Sequence, residues 1–302
     1  MLDYPLLQAL AAVVREGSFE RAARALHLTP SAVSQRVKLL EERTGQVLVV
    51  RANPAKATPA GQRLCRHVEE VALLEHRLAH DLPGLGPEAP GRVTLPVAVN
   101  ADSLATWFVP AAARMAAESP VLLDLRLEDQ DHTAEHLRCG EVVAAVTALA
   151  HPVPGCRSVP LGCMDYCATA SPAFVRTHLA DGVNAHTLAQ APCLTFSRRD
   201  RLQALWLESV LGEALHVPTH WLPSAQAFVE ASQAGLGWGM NPEPLVADAL
   251  AAGTLVELVP GHRLTVALYW QCRQGLPVAP VLTRAVCAAA AQVLRPSDEP
   301  SR

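Results

Sequence analysis

Residues 29–45, "TPSAVSQRVKLLEERTG", carry a start and a stop that leave little choice of local structure. Thr29 is a good helix N-cap, Pro30 brings the fixed φ that suits a first helical position, and Gly45 is placed to end the helix in the left-handed conformation. Between them, Val33, Val37 and Leu40 fall on one face of a 100° wheel. Ser31, Gln35, Lys38 and Glu42 fall on the opposite face, with Ser34 beside them. The apolar face needs other elements to cover it. Two precede it: Leu6, Leu10 and Val13 give an amphipathic helix that Gly17 ends, and Ser18 caps a second in which Phe19, Ala23 and Leu26 share a face. The small Ala22, Ala23 and Ala25 admit a close neighbour, so the chain is expected to begin with three packed helices.

What the polar face of the third helix meets is the next question. One reading is a solvated surface. The other is a DNA major groove, because a helix joined by a short turn to an earlier one can place Gln35 against adenine while serines and the helix N-terminus hold phosphate. Downstream, "QVLVVRANPAKATPAGQ" gives two short apolar stretches around a proline-containing turn, a β-wing carrying Arg51 and Lys56 near the DNA backbone. Charge favours the second reading. Residues 1–66 hold ten Lys+Arg and five Asp+Glu, a local +5 that leaves −9 for the remainder of a chain whose net charge is −4. The candidate DNA-contacting residues are Ser18, Thr29, Ser31, Ser34, Gln35, Arg36, Lys38, Arg51 and Lys56.

From 59 to 81 the spacing changes. Leu64, Val68, Val71, Leu74 and Leu78 recur at +4, +3, +3, +4, nearly a coiled-coil seam. Such a helix either lies against its own domain or pairs with a second copy, and "PGLGPEAPG" after it reads as a linker with little to pack on, which favours dimerisation. Beyond Gly91, strand and helix patterns alternate, implying an α/β domain with a mainly parallel sheet. "RLTVALYWQCR" is a strand able to return to the first half before a terminal helix at 278–294. The expected organisation is a DNA-binding head at 1–58, a linker and dimerisation helix with hinge at 59–90, and an effector-binding domain at 91–302. Its first lobe takes about 91–165 and 265–302, its second about 166–264. A ligand of such a sheet sits in the crevice outside the strand ends.

Several function classes drop out. The sequence has no G-x-S-x-G, P-loop or G-x-G-x-x-G, so no enzyme is expected. His76 with His80 and His132 with His136 are i, i+4 pairs without a third ligand, and no metal or other cofactor is expected. Eight dispersed cysteines form no disulfide framework; Cys163 and Cys167 are either buried thiols or a redox pair. The N-terminus has no signal-peptide pattern and no apolar run reaches membrane-spanning length, giving a cytoplasmic chain without membrane contact.

"SFERAARALHLTPSAVSQRVKLLEERTGQVLVVR" resembles the winged helix-turn-helix of LysR-type transcriptional regulators, and "ATPAG" the start of their linker helix. "LPVAVNADSLATWFVPA", "LRCGEVVAAV" and "SAQAFVEASQAG" resemble the arginine/lysine-responsive, ArgP/LysG-type branch. The resemblance spans about residues 2–294. It implies a winged helix-turn-helix and linker helix followed by a two-lobed, periplasmic-binding-protein-like α/β domain. It further implies a homodimer or homotetramer on double-stranded promoter DNA, able to meet RNA polymerase, with a basic amino acid as effector and an amino-acid exporter gene as target. The alternative is a solute-binding or enzymatic α/β protein with an unrelated helical head.

An amino-acid effector would need three groups satisfied. At "NADSLATWF" a strand ends near Asn100 and a helix begins near Ser103, so backbone N–H groups and the Ser103 hydroxyl suit a carboxylate, as does Ser224 from the second lobe. A cationic side chain needs acids. Alternation along "LLDLRLED" favours Glu128 or Asp129 over Asp124, with Asp102 and Asp165 next. Thr147, Gln226 and Asn241 are candidate neutral hydrogen-bonders, Asn241 departing from the apolar residue that the branch resemblance implies. Any of these acids could instead be solvated or paired with Arg126 or Arg138.

Overall fold

The computed structural model describes residues 3–81, 93–119, 121–128 and 133–296, which form two compact units, one through Thr94 and the other holding most of the rest. In the first, α1 (Tyr4–Glu16), α2 (Phe19–Ala25) and α3 (Pro30–Thr44) pack around Leu7, Leu10, Val13, Ala22, Val33 and Val37, all buried. The caps are those the sequence specifies: Ser18 Oγ accepts from the Arg21 N–H, Thr29 Oγ1 from the Ala32 N–H, and Gly17 and Gly45 end their helices at φ 64° and 65°. A two-stranded wing follows, β1 (Val49–Val50) antiparallel to β2 (Lys56–Ala57). It is docked on the α1–α2 turn, where the Ala55 N–H donates to the Gly17 carbonyl at 2.9 Å. A Cβ at Gly17 would lie 2.9 Å from Pro54 Cβ, so a side chain there would lift the wing.

The seam of α4 (Pro59–Asp81) divides in two. Cys65 is buried, and Leu64 and Val68 pack on the core of the three helices, so the first half of the helix lies on its own domain. Farther along, Leu74 is 55% and Leu78 50% exposed, and these two leucines present an apolar edge to solvent.

The second unit is built on one seven-stranded sheet. Its first part comprises β3 (Val93–Val99), α5 (Ala101–Ser103), a π-helical turn (Leu104–Phe108), α6 (Val109–Glu118), β4 (Val121–Leu127), α7 (Thr133–Cys139) and β5 (Ala144–Thr147). The long β6 (Cys156–Ala170) then leads to a second group: α8 (Pro172–His178), α9 (Ala185–Leu188), β7 (Cys193–Thr195), α10 (Leu202–Leu211), β8 (Thr219–Trp221), α11 (Ala225–Gln233), β9 (Gly239–Pro242), α12 (Glu243–Ala251) and β10 (Val256–Glu257). The chain returns through β11 (Arg263–Arg273) to α13 (Ala279–Ala290), which packs on α6. The sheet order is β10-β6-β11-β5-β3-β4, with β9 also paired to β6.

The expectation of a mainly parallel sheet is corrected. Parallel pairing holds for β3 with β5 and for the separate β7–β8 pair, but β11 runs antiparallel to both β5 and β6, and β9 and β10 run antiparallel to β6. Strands that cross once in each direction between two lobes must meet head to tail, a long-range fact that alternation of strand and helix does not encode. A register shift at Leu268/Tyr269 bends this pair opposite Gly162, whose φ is 124°. A Cβ at Gly162 would stand 2.6 Å from the Arg295 carbonyl oxygen, which accepts from the Cys163 N–H. Replacing Gly162 by alanine is therefore expected to cost about 1–3 kcal/mol, through both the backbone conformation and the clash. Urea unfolding followed by circular dichroism measures it, and an unchanged midpoint would show that the bend relaxes freely.

Candidate DNA-reading face and effector cleft

On α3 the polar face stands in solvent: Ser31, Gln35 and Lys38 are exposed, Ser34 and Arg36 half-buried. Lys38 lies 3.7 Å from Glu42, an i, i+4 contact between exposed groups that leaves the lysine available to another anion. Ser18 and Thr29 are occupied as helix caps, and Thr29 also shares a hydrogen bond with Ser31 at 3.0 Å. In the wing, the Arg51 guanidinium lies over the Phe19 ring at 5.1 Å, and exposed Lys56 pairs in register with Val50. A cation held on an aromatic face is oriented before it meets a phosphate.

In the second unit, the helix begins directly after β3, with Asn100 as its N-cap. Here Asn100, Ala101, Asp102 and Glu128 from one lobe face Phe196, Asp200, Arg201, Leu202 and Leu205 from the other across a cavity of about 130 Å³. A smaller recess of about 30 Å³ continues from it, sharing Asp102, Phe196, Asp200 and Leu202 and adding Ala225, Phe228, Met240, Asn241 and Pro242. Tyr166, on the crossing strand β6, donates its hydroxyl to Asp102 Oδ2 at 2.8 Å and fixes that carboxylate. Asp200 folds its own loop, accepting from the N–H groups of Phe196 and Leu202 at 3.1 and 3.0 Å. Asn100 Oδ1 and Ser103 Oγ are buried without a hydrogen-bond partner among the described residues, an unusual state for polar atoms in a folded chain.

The structure thus brings Asn100, Asp102, Glu128 and Asn241 to one cleft, with Ser103 buried at its helical rim. It does not bring the others. Thr147 is buried and its Oγ1 accepts from the Leu149 N–H; Ser224 caps α11; Gln226 is exposed on that helix; none of the three lines either cavity. Asp129, His132 and the side chains of His76 and His80 lie outside the described residues. Asp124 contacts Arg126 at 3.4 Å and Arg138 contacts Glu135 at 3.0 Å. Asp165 departs from the expectation most clearly. It meets Arg295 at 2.9 Å and Thr265, away from the cleft, because successive side chains on β6 point to opposite faces and it is Tyr166 that faces inward. Asp200, Phe196 and Tyr166 were not anticipated. The one local signal for Asp200 is an aspartate two residues before a helix, a common turn-closing position.

Burial pushes the thiols of Cys65, Cys167, Cys193 and Cys272 up to about 12, which leaves Cys167 no thiolate with which to start redox chemistry. Among the described residues no group of three or more His, Cys, Asp or Glu side chains could hold a metal ion.

Comparison with known proteins decides the family. The model for bacterial regulatory helix-turn-helix proteins of the lysR family matches residues 5–62, and that for the LysR substrate binding domain matches residues 89–294. The chain belongs to the LysR family. It is 48% identical to the HTH-type transcriptional regulator LysG of Mycobacterium bovis over 97% of this chain and 95% of that protein. Among solved structures it resembles ArgP from Mycobacterium tuberculosis, 47% identical with a TM-score of 0.82 over 98% of this chain and all of that one. It also resembles full-length LysG from Corynebacterium glutamicum with bound effector Arg, 39% identical with a TM-score of 0.73 over the same shares. This LysR-type regulator is therefore a DNA-binding protein of the ArgP/LysG branch, and the solute-binding or enzymatic alternative is set aside.

The Asp165 contacts of this LysR-type chain have a pH signature. Burial raises the carboxyl, but hydrogen bonds from Arg295 and Thr265 outweigh it and hold Asp165 below the ordinary value of 3.8. A carboxylate depressed in the folded state contributes stability above its unfolded pKa and loses it as pH falls through the folded one. Asp165→Asn is expected to cost roughly 1–3 kcal/mol at pH 7. The deficit relative to the parent should shrink below about pH 4, as urea titrations across pH would show, while effector binding stays unchanged.

Proposed function

We propose that this regulator acts in the cytoplasm, binds L-lysine or L-arginine between its lobes, and controls an amino-acid exporter gene. The observation that carries the reading is the composition of the cleft. A helix start and Arg201 offer sites for a carboxylate, and Asp102, Glu128 and Asp200 surround them with sites for two cationic groups, the pattern that a basic amino acid presents. The arginine-bound relative supports the same ligand class. Binding then favours one arrangement of the lobes, a shift of population that needs no contact between effector and DNA. The absence, among the described residues, of a helix long and apolar enough to cross a membrane accords with this setting. Dimerisation through the second half of α4, where Leu74 and Leu78 are exposed, would place two heads on two half-sites.

Isothermal titration with lysine, arginine and norleucine tests the ligand class. Saturable binding of at least one basic amino acid and none of norleucine is the expected result; comparable norleucine binding would sink the proposal.

In the head, Gln35 reads a base, aided by Ser34, while Arg51 and Lys56 hold the backbone. The residue roles separate by salt dependence. Gln35→Ala should lose about 1–3 kcal/mol on operator DNA but little on random DNA. Arg51→Ala should weaken both equally and reduce the salt slope by about one charge. Equal loss on both DNAs for Gln35→Ala, in fluorescence anisotropy titrations, would move base reading elsewhere.

A further inference from the structure

We infer that Asn241 is a specificity-determining residue: its side-chain oxygen completes, with the carboxylates of Asp102 and Asp200, a three-acceptor recess that takes the ammonium of lysine in preference to a guanidinium. This assignment rests on the proposed reading of the cleft as a basic amino-acid site. Asn241 is fully buried on β9, opposite Cys167 of β6. Its Nδ2 donates to Thr169 Oγ1 at 2.9 Å and to the Gly239 carbonyl at 3.5 Å. The carbonyl can only accept, so the amide orientation is fixed and Oδ1 is the acceptor left over. That Oδ1 is buried and has no hydrogen-bond partner among the described residues, although Asn241 lines the inner recess. An acceptor stripped of water and left unpaired is costly, and a donor delivered by a ligand removes the cost.

The two cavities differ in charge. The outer one holds Arg201 beside Glu128 and the start of the helix, partners for an α-carboxylate and an α-ammonium. Among the described residues no basic side chain lines the inner recess; two aspartates and Asn241 stand against walls of Phe196, Phe228, Leu202 and Met240. Its volume of about 30 Å³, against about 130 Å³ for the outer cavity, favours a compact group. An ammonium is such a group, a compact charge with three rotatable donors for three acceptors, whereas a guanidinium is a wider plane with five donors in a fixed fork. Apolar walls exclude water and strengthen each of these contacts.

Titration calorimetry on the full-length chain uses lysine, arginine and Nε-trimethyl-lysine as probes. The parent is expected to bind lysine more tightly than arginine. Asn241→Leu should weaken lysine about tenfold or more, the loss of a hydrogen bond to a charged group, and narrow the lysine-to-arginine ratio. Trimethyl-lysine keeps the charge but has no N–H to donate, and the unmutated chain should bind it at least about tenfold more weakly than lysine, a result independent of how well the variant folds. If the parent binds neither basic amino acid, the reading of the cleft itself fails. If it binds them but Asn241→Leu leaves lysine affinity and the ratio unchanged, or trimethyl-lysine binds as well as lysine, the role of Asn241 alone is overturned.

Discussion

The antiparallel ladder between β6 and β11 is the contact on which the second unit depends. It runs from Arg263 opposite Cys167 to Arg273 opposite Cys156, and each end is shared with other strands: β5 joins β11 at one end, β9 and β10 join β6 at the other. One sheet therefore serves both lobes. Cleft residues attached to different parts of the chain, Asp102 after β3 and Asn241 on β9, are related through Tyr166, which sits on the shared strand and reaches Asp102. The segment after α13 adds to the same place, since Arg295 exchanges backbone hydrogen bonds with Cys163 and binds Asp165 with its side chain. Asp165 is thus part of what holds the crossing together, and its charge serves the fold rather than a ligand.

The first unit was legible because its signals are local. As helix caps, Ser18, Thr29, Gly17 and Gly45 act within four residues of where they stand, and the apolar face of α3 is a property of one helix. The α4 seam shows the limit of periodicity. Leu64 and Leu74 obey the same spacing, yet one is covered by its own domain and the other is not, because spacing says which side is apolar and not what lies opposite. In the second unit, strand-to-helix transitions point to Asn100 and Asp102, whose places at the cleft follow from chain direction. Asp200 and Tyr166 could not be found this way, since their place in the cleft is set by pairing across more than sixty residues. The exchange of Asp165 for Tyr166 is a matter of parity: the sequence places a strand there without saying which face looks inward.

The docking of the wing on the α1–α2 turn bears on how the head meets its target. Gly17 admits Pro54 so closely, and the Ala55 amide is tied so directly to the Gly17 carbonyl, that the wing has no hinge of its own. Arg51, laid over Phe19 at the first turn of α2, is carried by the same rigid body as the exposed face of α3. The distance between the proposed groove-reading helix and the proposed backbone-holding wing is consequently a fixed gauge. A duplex of the wrong groove width must be deformed to fit it, so the local stiffness of the DNA enters recognition even at base pairs that no side chain touches.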